Sequence, residues 1–172
     1  MKDYGQTGVD IQTAMVLRAK ANPDRVRRPK SILWNGQNVW TTYEIVVPRE
    51  GRFTIEFLSE ARQPPQGVDV KAEGGQIILA GGEAVQTLRT WHDERFESVV
   101  EYPYQSEAGL LKVWNVYLRS WPDGRVSEEK WTGNAGCLVD DKSDGGLVFR
   151  CSDGGAKVPD FAQLVFRLSI TA

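Results

Sequence analysis

Hydrophobic and polar residues alternate along most of the chain from Ile32 onward. In residues 52–58, Phe53, Ile55 and Phe57 would point to one side of a strand, and similar alternation recurs over residues 68–71, 96–102 and 161–170. Clusters of Gly, Pro and Asp separate these runs. Many short strands divided by turns predict an all-β fold, an antiparallel sandwich of roughly eight to ten strands.

One segment departs from this pattern. Residues 8–21, GVDIQTAMVLRAKA, have apolar positions at helical spacing, and Asn22-Pro23 would end the helix. Residues 18–30 carry six basic residues and one acid but no aromatic residue, which is typical of a solvated connector and predicts no specific nucleic-acid partner. We therefore expect two parts: a helix and basic connector over 1–30, packed on a β-sandwich domain over 31–172.

The two cysteines predict the register of one hairpin. A turn centred on Asp144 places Cys137 opposite Cys151 and Val139 opposite Phe149, on one apolar face. A directly opposed pair is within reach of a disulfide. The alternative, two reduced and buried thiols, is favoured because a cytoplasmic location is the default for a chain whose start, MKDYGQTGVD, lacks a signal-peptide core. A mature secreted chain with an added Met would look the same.

Six tryptophans, most beside polar turns, give the main functional signal. The strand LLKVWNVYLRSW (110–121) has an even-numbered face that is mostly apolar and is the expected core face. Its odd-numbered face mixes aromatic and polar side chains in the way a ligand-binding sheet surface does, with core packing as an equal alternative. The predicted ligand-binding residues are Asn115, Tyr117, Arg119 and Trp121, with Trp91, His92 and Asp93 at a nearby strand end.

Catalytic and metal chemistry have weaker signals. His92, the sole histidine, could be oriented by Asp93 as a general base, but a solvated turn residue is the favoured interpretation. Glu97 and Glu101 are best explained as the solvent side of a sheet. No nucleophile elbow, P-loop or dinucleotide fingerprint is present. No cofactor is expected; the aspartates near 140–144, 153 and 160 leave a structural calcium ion as an alternative to ordinary turn chemistry.

The stretch TYEIVVPREGRFTIEFLSEA (42–61) resembles the opening of jelly-roll carbohydrate-binding modules. Thr90-Trp91 and the terminal DFAQLVFRLSI are compatible with the same plan. The resemblance implies a jelly-roll-like sandwich and carbohydrate binding, and it carries over no individual binding residue.

These observations together predict non-catalytic binding of a carbohydrate or another small polar ligand. The alternatives are a protein-interaction or homodimeric structural domain, since exposed Trp, Tyr and Arg also dominate interfaces, and thirdly a glycan-active hydrolase or lyase. The net charge of −2 gives no general attraction to nucleic acid or to a membrane surface. No apolar run is long enough to span a bilayer, so no membrane partner is expected.

Overall fold

The computed structural model describes residues 1–24, 29–142 and 145–172, and these form two antiparallel sheets that pack together, with one N-terminal helix. The predicted all-β sandwich with one helix is confirmed. Fourteen strands occur within the described residues, more than expected because several are only two to four residues long. The elements are α1 (Ile11–Ala21), β1 (Ser31–Trp34), β2 (Gln37–Trp40), β3 (Tyr43–Val46), β4 (Glu50–Phe57), β5 (Gln66–Ala72), β6 (Gly75–Ile78), β7 (Ala84–Val85), β8 (Thr87–His92), β9 (Val99–Ser106), β10 (Leu110–Ser120), β11 (Val126–Glu129), β12 (Gly136–Lys142), β13 (Gly146–Ser152) and β14 (Leu164–Thr171).

The larger sheet has the order β1-β2-β12-β13-β14-β4-β9-β6-β7. The smaller sheet has the order β11-β10-β5-β8, and β3 pairs with the start of β10. Consecutive strands cross between the sheets: β4, β6 and β9 belong to the larger sheet, while β5, β8 and β10 belong to the smaller one. The two sheets therefore share one apolar core, to which strands of both contribute.

Period-two alternation placed the core correctly in β4 and β5. Phe53 and Ile55 of β4 are fully buried, as are Val68 and Val70 of β5 on the facing sheet. Their side chains belong to one apolar cluster between the two sheets. The alternation predicted for residues 96–102 was too long at its start: Phe96 is 62 % exposed and donates its backbone N–H to the carbonyl of Asp93 in a turn, so β9 begins only at Val99.

The helix begins at Ile11 rather than at residue 8. Asp10 has an extended backbone, and its carboxylate accepts the N–H of Thr13 at 2.7 Å, which is the usual way to start a helix. Ile11 and Ala14 are fully buried in a second, smaller apolar cluster together with Ile32 of β1. Much of the predicted basic connector, residues 25–28, lies outside the described residues.

The predicted hairpin register is confirmed. Cys137 of β12 lies opposite Cys151 of β13, and Val139 lies opposite Phe149. Asp144, on which the turn was centred, lies outside the described residues. Both cysteines are free thiols, buried, with their sulfur atoms 2.6 Å apart. No helix within the described residues is long and apolar enough to cross a membrane.

Candidate functional site

The two faces of β10 are the reverse of the sequence-based expectation. Leu111, Val113 and Tyr117, on the odd-numbered face, are no more than 1 % exposed, and the first two belong to the core cluster between the sheets. The even-numbered face, which includes Trp114 and Lys112, is therefore the outer one. The expectation was wrong because Trp114 is itself covered, at 5 % exposure, so that apolar content alone does not distinguish the two sides.

Two of the predicted ligand-binding residues lie inside the sandwich. The Asn115 side chain donates to the carbonyl of Ser152 at 2.9 Å, and the thiol of Cys137 lies 3.3 Å from its amide oxygen. The hydroxyl of Tyr117 lies 3.3 Å from the carbonyl of Thr132, to which it donates, and accepts the backbone N–H of Thr132 at 3.2 Å. Asn115 and Tyr117 therefore bind other parts of the protein and do not form an exposed surface.

Arg119 and Trp121 lie at the carboxyl end of β10. The guanidinium carbon of Arg119 is 4.2 Å from the centroid of the Trp121 ring, and that of Arg125 is 5.8 Å away. The indole N–H of Trp121 donates to the Ser127 hydroxyl at 2.9 Å. Much of the stacking and hydrogen-bonding capacity of Trp121 is thus already used within the protein.

Trp91 lies on the outer face of the smaller sheet, opposite Gly67 in register. A Cβ atom built on Gly67 would be 3.0 Å from the indole of Trp91 and 3.2 Å from a methyl group of Val116, so the ring lies close over this glycine. Trp91 therefore helps to cover Val116, which is fully buried.

His92 and Asp93 are adjacent in sequence but engage different partners. The imidazole of His92 stacks on Phe57 at 4.4 Å between centroids, and its Nε2 lies 2.6 Å from the carbonyl oxygen of Ser59. The carboxylate of Asp93 accepts from the guanidinium of Arg95 at 2.7 Å, and this contact lowers the pKa of Asp93 to about 2. Within the described residues no hydrogen bond joins the two side chains, so Asp93 does not orient the imidazole as a general base requires.

The seven predicted residues consequently do not converge on one surface. A different set of side chains does so, in a groove of about 450 Å³ between the helix and the outer face of the smaller sheet. This volume is within the range of small-molecule sites, roughly 300–1,000 Å³. We call it the Trp114–Trp131 groove; its lining residues are Gln12, Met15, Val16, Pro29, Lys30, Thr41, Thr42, Glu44, Lys71, Lys112, Trp114 and Trp131.

The aromatic part of the Trp114–Trp131 groove consists of two indoles in contact. Their ring centroids are 5.2 Å apart at an interplanar angle of 51°, and the ammonium of Lys130 lies 4.6 Å from the Trp131 ring and 5.3 Å from the Trp114 ring. Trp131 is 40 % exposed, while the indole N–H of Trp114 is buried and has no hydrogen-bond partner among the described residues. A buried donor without a partner is unusual and costly in a folded protein.

The loop that carries Trp131 is held in place by hydrogen bonds to Tyr117 of β10 and to Gln12 of the helix. Trp131 has a backbone φ of +62°, which a bulky residue seldom adopts. The next residue, Thr132, is bound by the Tyr117 hydroxyl, and Gly133 exchanges hydrogen bonds of 2.9 and 3.0 Å with Gln12 of the helix. Tyr117 thus has a structural role next to the groove, since it anchors the loop from inside the sandwich.

Charged side chains of alternating sign follow one side of the groove. Lys30 pairs with Glu44, and Lys112 lies between Glu44 at 3.9 Å and Glu73 at 3.4 Å. Lys71 lies 3.5 Å from Glu73. Partial burial raises the pKa of Glu73, but the charges of Lys112 and Lys71 outweigh this effect, so its pKa is lower than usual. Ammonium donors and carboxylate acceptors therefore stand side by side near the two indoles.

Sequence reasoning missed this groove although one signal was present. Lys112 belongs to the face of β10 that was assigned to the core, and lysine is almost never fully buried without a partner. A Lys two residues from a Trp on one strand face indicates an aromatic surface at the edge of solvent. The contribution of the helix had no local signal, because the helix is distant from β10 in sequence. That of Trp131 had none because Trp131 lies in the loop after β11, outside any predicted strand face.

Three of the aspartates that left calcium as an alternative have protein partners, and one of them, Asp160, accepts the backbone N–H of Ala162 at 3.0 Å. Asp140 pairs with Arg150 at 3.3 Å, and Asp153 accepts the backbone N–H groups of Gly155 and Ala156. Within residues 1–24, 29–142 and 145–172, no group of three or more His, Cys, Asp or Glu side chains is arranged to hold a metal ion.

Comparison of the chain with protein-family models and with curated proteins finds no match. Any functional conclusion therefore depends on the site itself.

Proposed function

We propose that the protein binds a carbohydrate, without catalysis, in the Trp114–Trp131 groove. The observation that carries this proposal is the pair of indoles in its lining: Trp131 is 40 % exposed, and Trp114 packs against it with ring centroids 5.2 Å apart. An apolar surface with a few polar groups is the usual composition of a small-ligand site.

The chemistry of a sugar ring fits this composition. Its C–H faces pack on aromatic rings, and its hydroxyl groups both donate and accept hydrogen bonds. In the Trp114–Trp131 groove, Lys112 and Lys71 are donors, and Glu44 is an acceptor within the same lining. Met15 and Val16 of the helix add apolar surface opposite the sheet.

The rigidity of the surroundings supports binding. Gln12 and Gly133 exchange hydrogen bonds, and Ile11 donates its backbone N–H to the side chain of Asn134 at 3.2 Å, so the helix and the Trp131 loop are linked directly. A site that is already in place loses less entropy when the ligand binds.

The test compares Trp131→Ala with Trp121→Ala as a matched control. Trp121 is also a partly exposed tryptophan with a cationic side chain over its ring, as Trp131 is, but it lies outside the groove. Isothermal titration calorimetry against a panel of neutral and acidic oligosaccharides measures affinity. Circular dichroism checks the fold, and light scattering measures the mass in solution.

We expect saturable binding of at least one sugar class by the unmodified protein and by Trp121→Ala, and its loss in a folded Trp131→Ala variant. Absence of binding to every sugar, or equal binding by Trp131→Ala, would overturn the proposal. A dimer of the unmodified protein that dissociates in Trp131→Ala, without sugar binding, would instead assign the two indoles to self-association.

A further inference from the structure

We propose that the carbohydrate taken by the Trp114–Trp131 groove is acidic, a glycan that carries carboxylate or sulfate groups. This inference rests on the proposed function and specifies its ligand. It starts from a local charge imbalance. Lysines 30, 71, 112 and 130 lie in or beside the groove, against Glu44 and Glu73. The surroundings of the groove are thus positive, although the chain as a whole has a net charge of −2.

The strength of the existing ion pairs shows which lysines are available. Charge-assisted hydrogen bonds are about 2.7–2.9 Å long. Lys112 is 3.4 Å from Glu73 and 3.9 Å from Glu44, and Lys71 is 3.5 Å from Glu73, so none of these contacts is a tight one. An ammonium group has three N–H donors. Lys112 and Lys71, each about 30 % exposed on the side chain, therefore keep donors for an anionic group.

The two lysines lie side by side on the sheet face that carries Trp114, so they could contact the anionic group of a sugar that packs on the indoles. Lys112 and Trp114 point to the same face of β10, since they are two residues apart on one strand. Lys71 is directly opposite Lys112 on β5. The carboxylate of Glu73 already lies 3.4 Å from Lys112 and 3.5 Å from Lys71, but its single charge neutralises only one of the two ammonium groups. The trio keeps a net charge of +1, which a carboxylate or sulfate of the sugar would neutralise.

Glu44 and Glu73 favour an acidic sugar over a nucleic acid. Single-stranded nucleic acids also combine stacking surfaces with cations, but they present a continuous row of phosphates. Glutamates placed between the lysines would repel such a row. A uronic acid or a sulfated sugar has isolated anionic groups separated by hydroxyls, and Glu44, which lines the groove, can accept hydrogen bonds from those hydroxyls.

The experiment measures affinity for an oligogalacturonate and for the neutral galactose oligomer of the same length and linkage, by calorimetry at low and at high salt. Lys112→Gln and Lys71→Gln each remove one cation, and Lys157→Gln, an exposed lysine that does not line the groove, is the control. A sulfated oligosaccharide and a single-stranded homopolymeric DNA complete the set of probes.

We expect the acidic oligomer to bind at least tenfold more tightly than the neutral one, because hydrogen bonds between charged groups are about twice as strong as those between neutral groups. Lys112→Gln and Lys71→Gln should each reduce that preference about tenfold, and salt should weaken it. Preference for the sulfated oligomer over the uronate also fits, and would identify the anionic group.

Equal affinity for the acidic and the neutral oligomer, unchanged in Lys112→Gln, would overturn this inference and leave carbohydrate binding in place. Tighter binding of the DNA than of either sugar would overturn it in favour of nucleic acid. Absence of binding to every sugar would overturn both this inference and the proposed function.

Discussion

The ion pair between Asp69 and Arg89 provides a strong test of how the outer face of the smaller sheet is stabilised. The side chain of Asp69 is 1 % exposed, and Arg89 donates to both of its oxygens at 2.8 Å. Asp69 is on β5, with Trp114 opposite it on β10 and Arg89 opposite it on β8. The carboxylate is therefore enclosed between these two side chains. We predict that Arg89→Met strongly destabilises the protein, because it leaves a buried charge without its partner.

The size of the effect follows from this geometry. Removing one member of a buried ion pair costs about 3–5 kcal/mol. Arg89 is 32 % exposed, so water can partly replace it, and we expect the lower end, about 3 kcal/mol. For a chain of this length that corresponds to a decrease in the melting temperature of about 6–12 °C. Replacing both residues, Asp69→Leu with Arg89→Met, should recover much of the loss, since no charge is then buried.

Urea unfolding followed by circular dichroism measures these free energies. Glu128→Gln is the matched control, because Arg89 also binds the half-exposed carboxylate of Glu128 at 2.7 Å, and surface ion pairs contribute only about 0–1 kcal/mol. A cost below about 1 kcal/mol for Arg89→Met, or a double variant less stable than the single one, would refute the reasoning from buried charge.

Further predictions concern close packing, thiol reactivity and pH. Gly154→Ala should lower the free energy of unfolding in urea by about 1–3 kcal/mol, because the added Cβ atom would clash with the hydroxyl of Tyr117, which anchors the groove loop. Gly155→Ala is the control and should be nearly neutral, since its Cβ atom would have its nearest contact at 3.4 Å. Burial holds the pKa of the Cys151 thiol well above its ordinary value, so iodoacetamide at pH 8 should label it only after the protein unfolds. Rapid labelling of the folded protein would contradict this prediction. Absence of labelling in denaturant would show that the two cysteines are oxidised to a disulfide. Because Arg95 lowers the folded-state pKa of Asp93 to about 2, this carboxylate stabilises the fold above about pH 4 and loses that effect as the pH falls through 2. An NMR titration should give a pKa of about 2. Arg95→Gln should raise this pKa, but only part of the way to 3.8, because the backbone N–H of residue 95 still donates to the carboxylate.

The seven residues proposed from sequence illustrate why a site is harder to predict than a fold. Asn115 and Tyr117 have the composition of a ligand-binding face, yet they are buried and bind the backbone of other strands and loops. Composition describes what a face can bind, but whether its partner is a ligand or the protein depends on what covers it. For β10, the chain that follows β11 determines this, because Trp131 packs on Trp114 of the outer face, while residues of the helix line the same groove.

The sequence by itself determined the class of fold, the core positions of strands such as β4 and the Cys137–Cys151 register, because side-chain direction alternates along a strand and turn residues limit its length. It also determined that the helix ends before Asn22-Pro23. Only the tertiary structure decided which face of β10 is internal and which tryptophans meet. Both faces of that strand are apolar enough to be buried, and local periodicity carries no information on which distant segment packs against each.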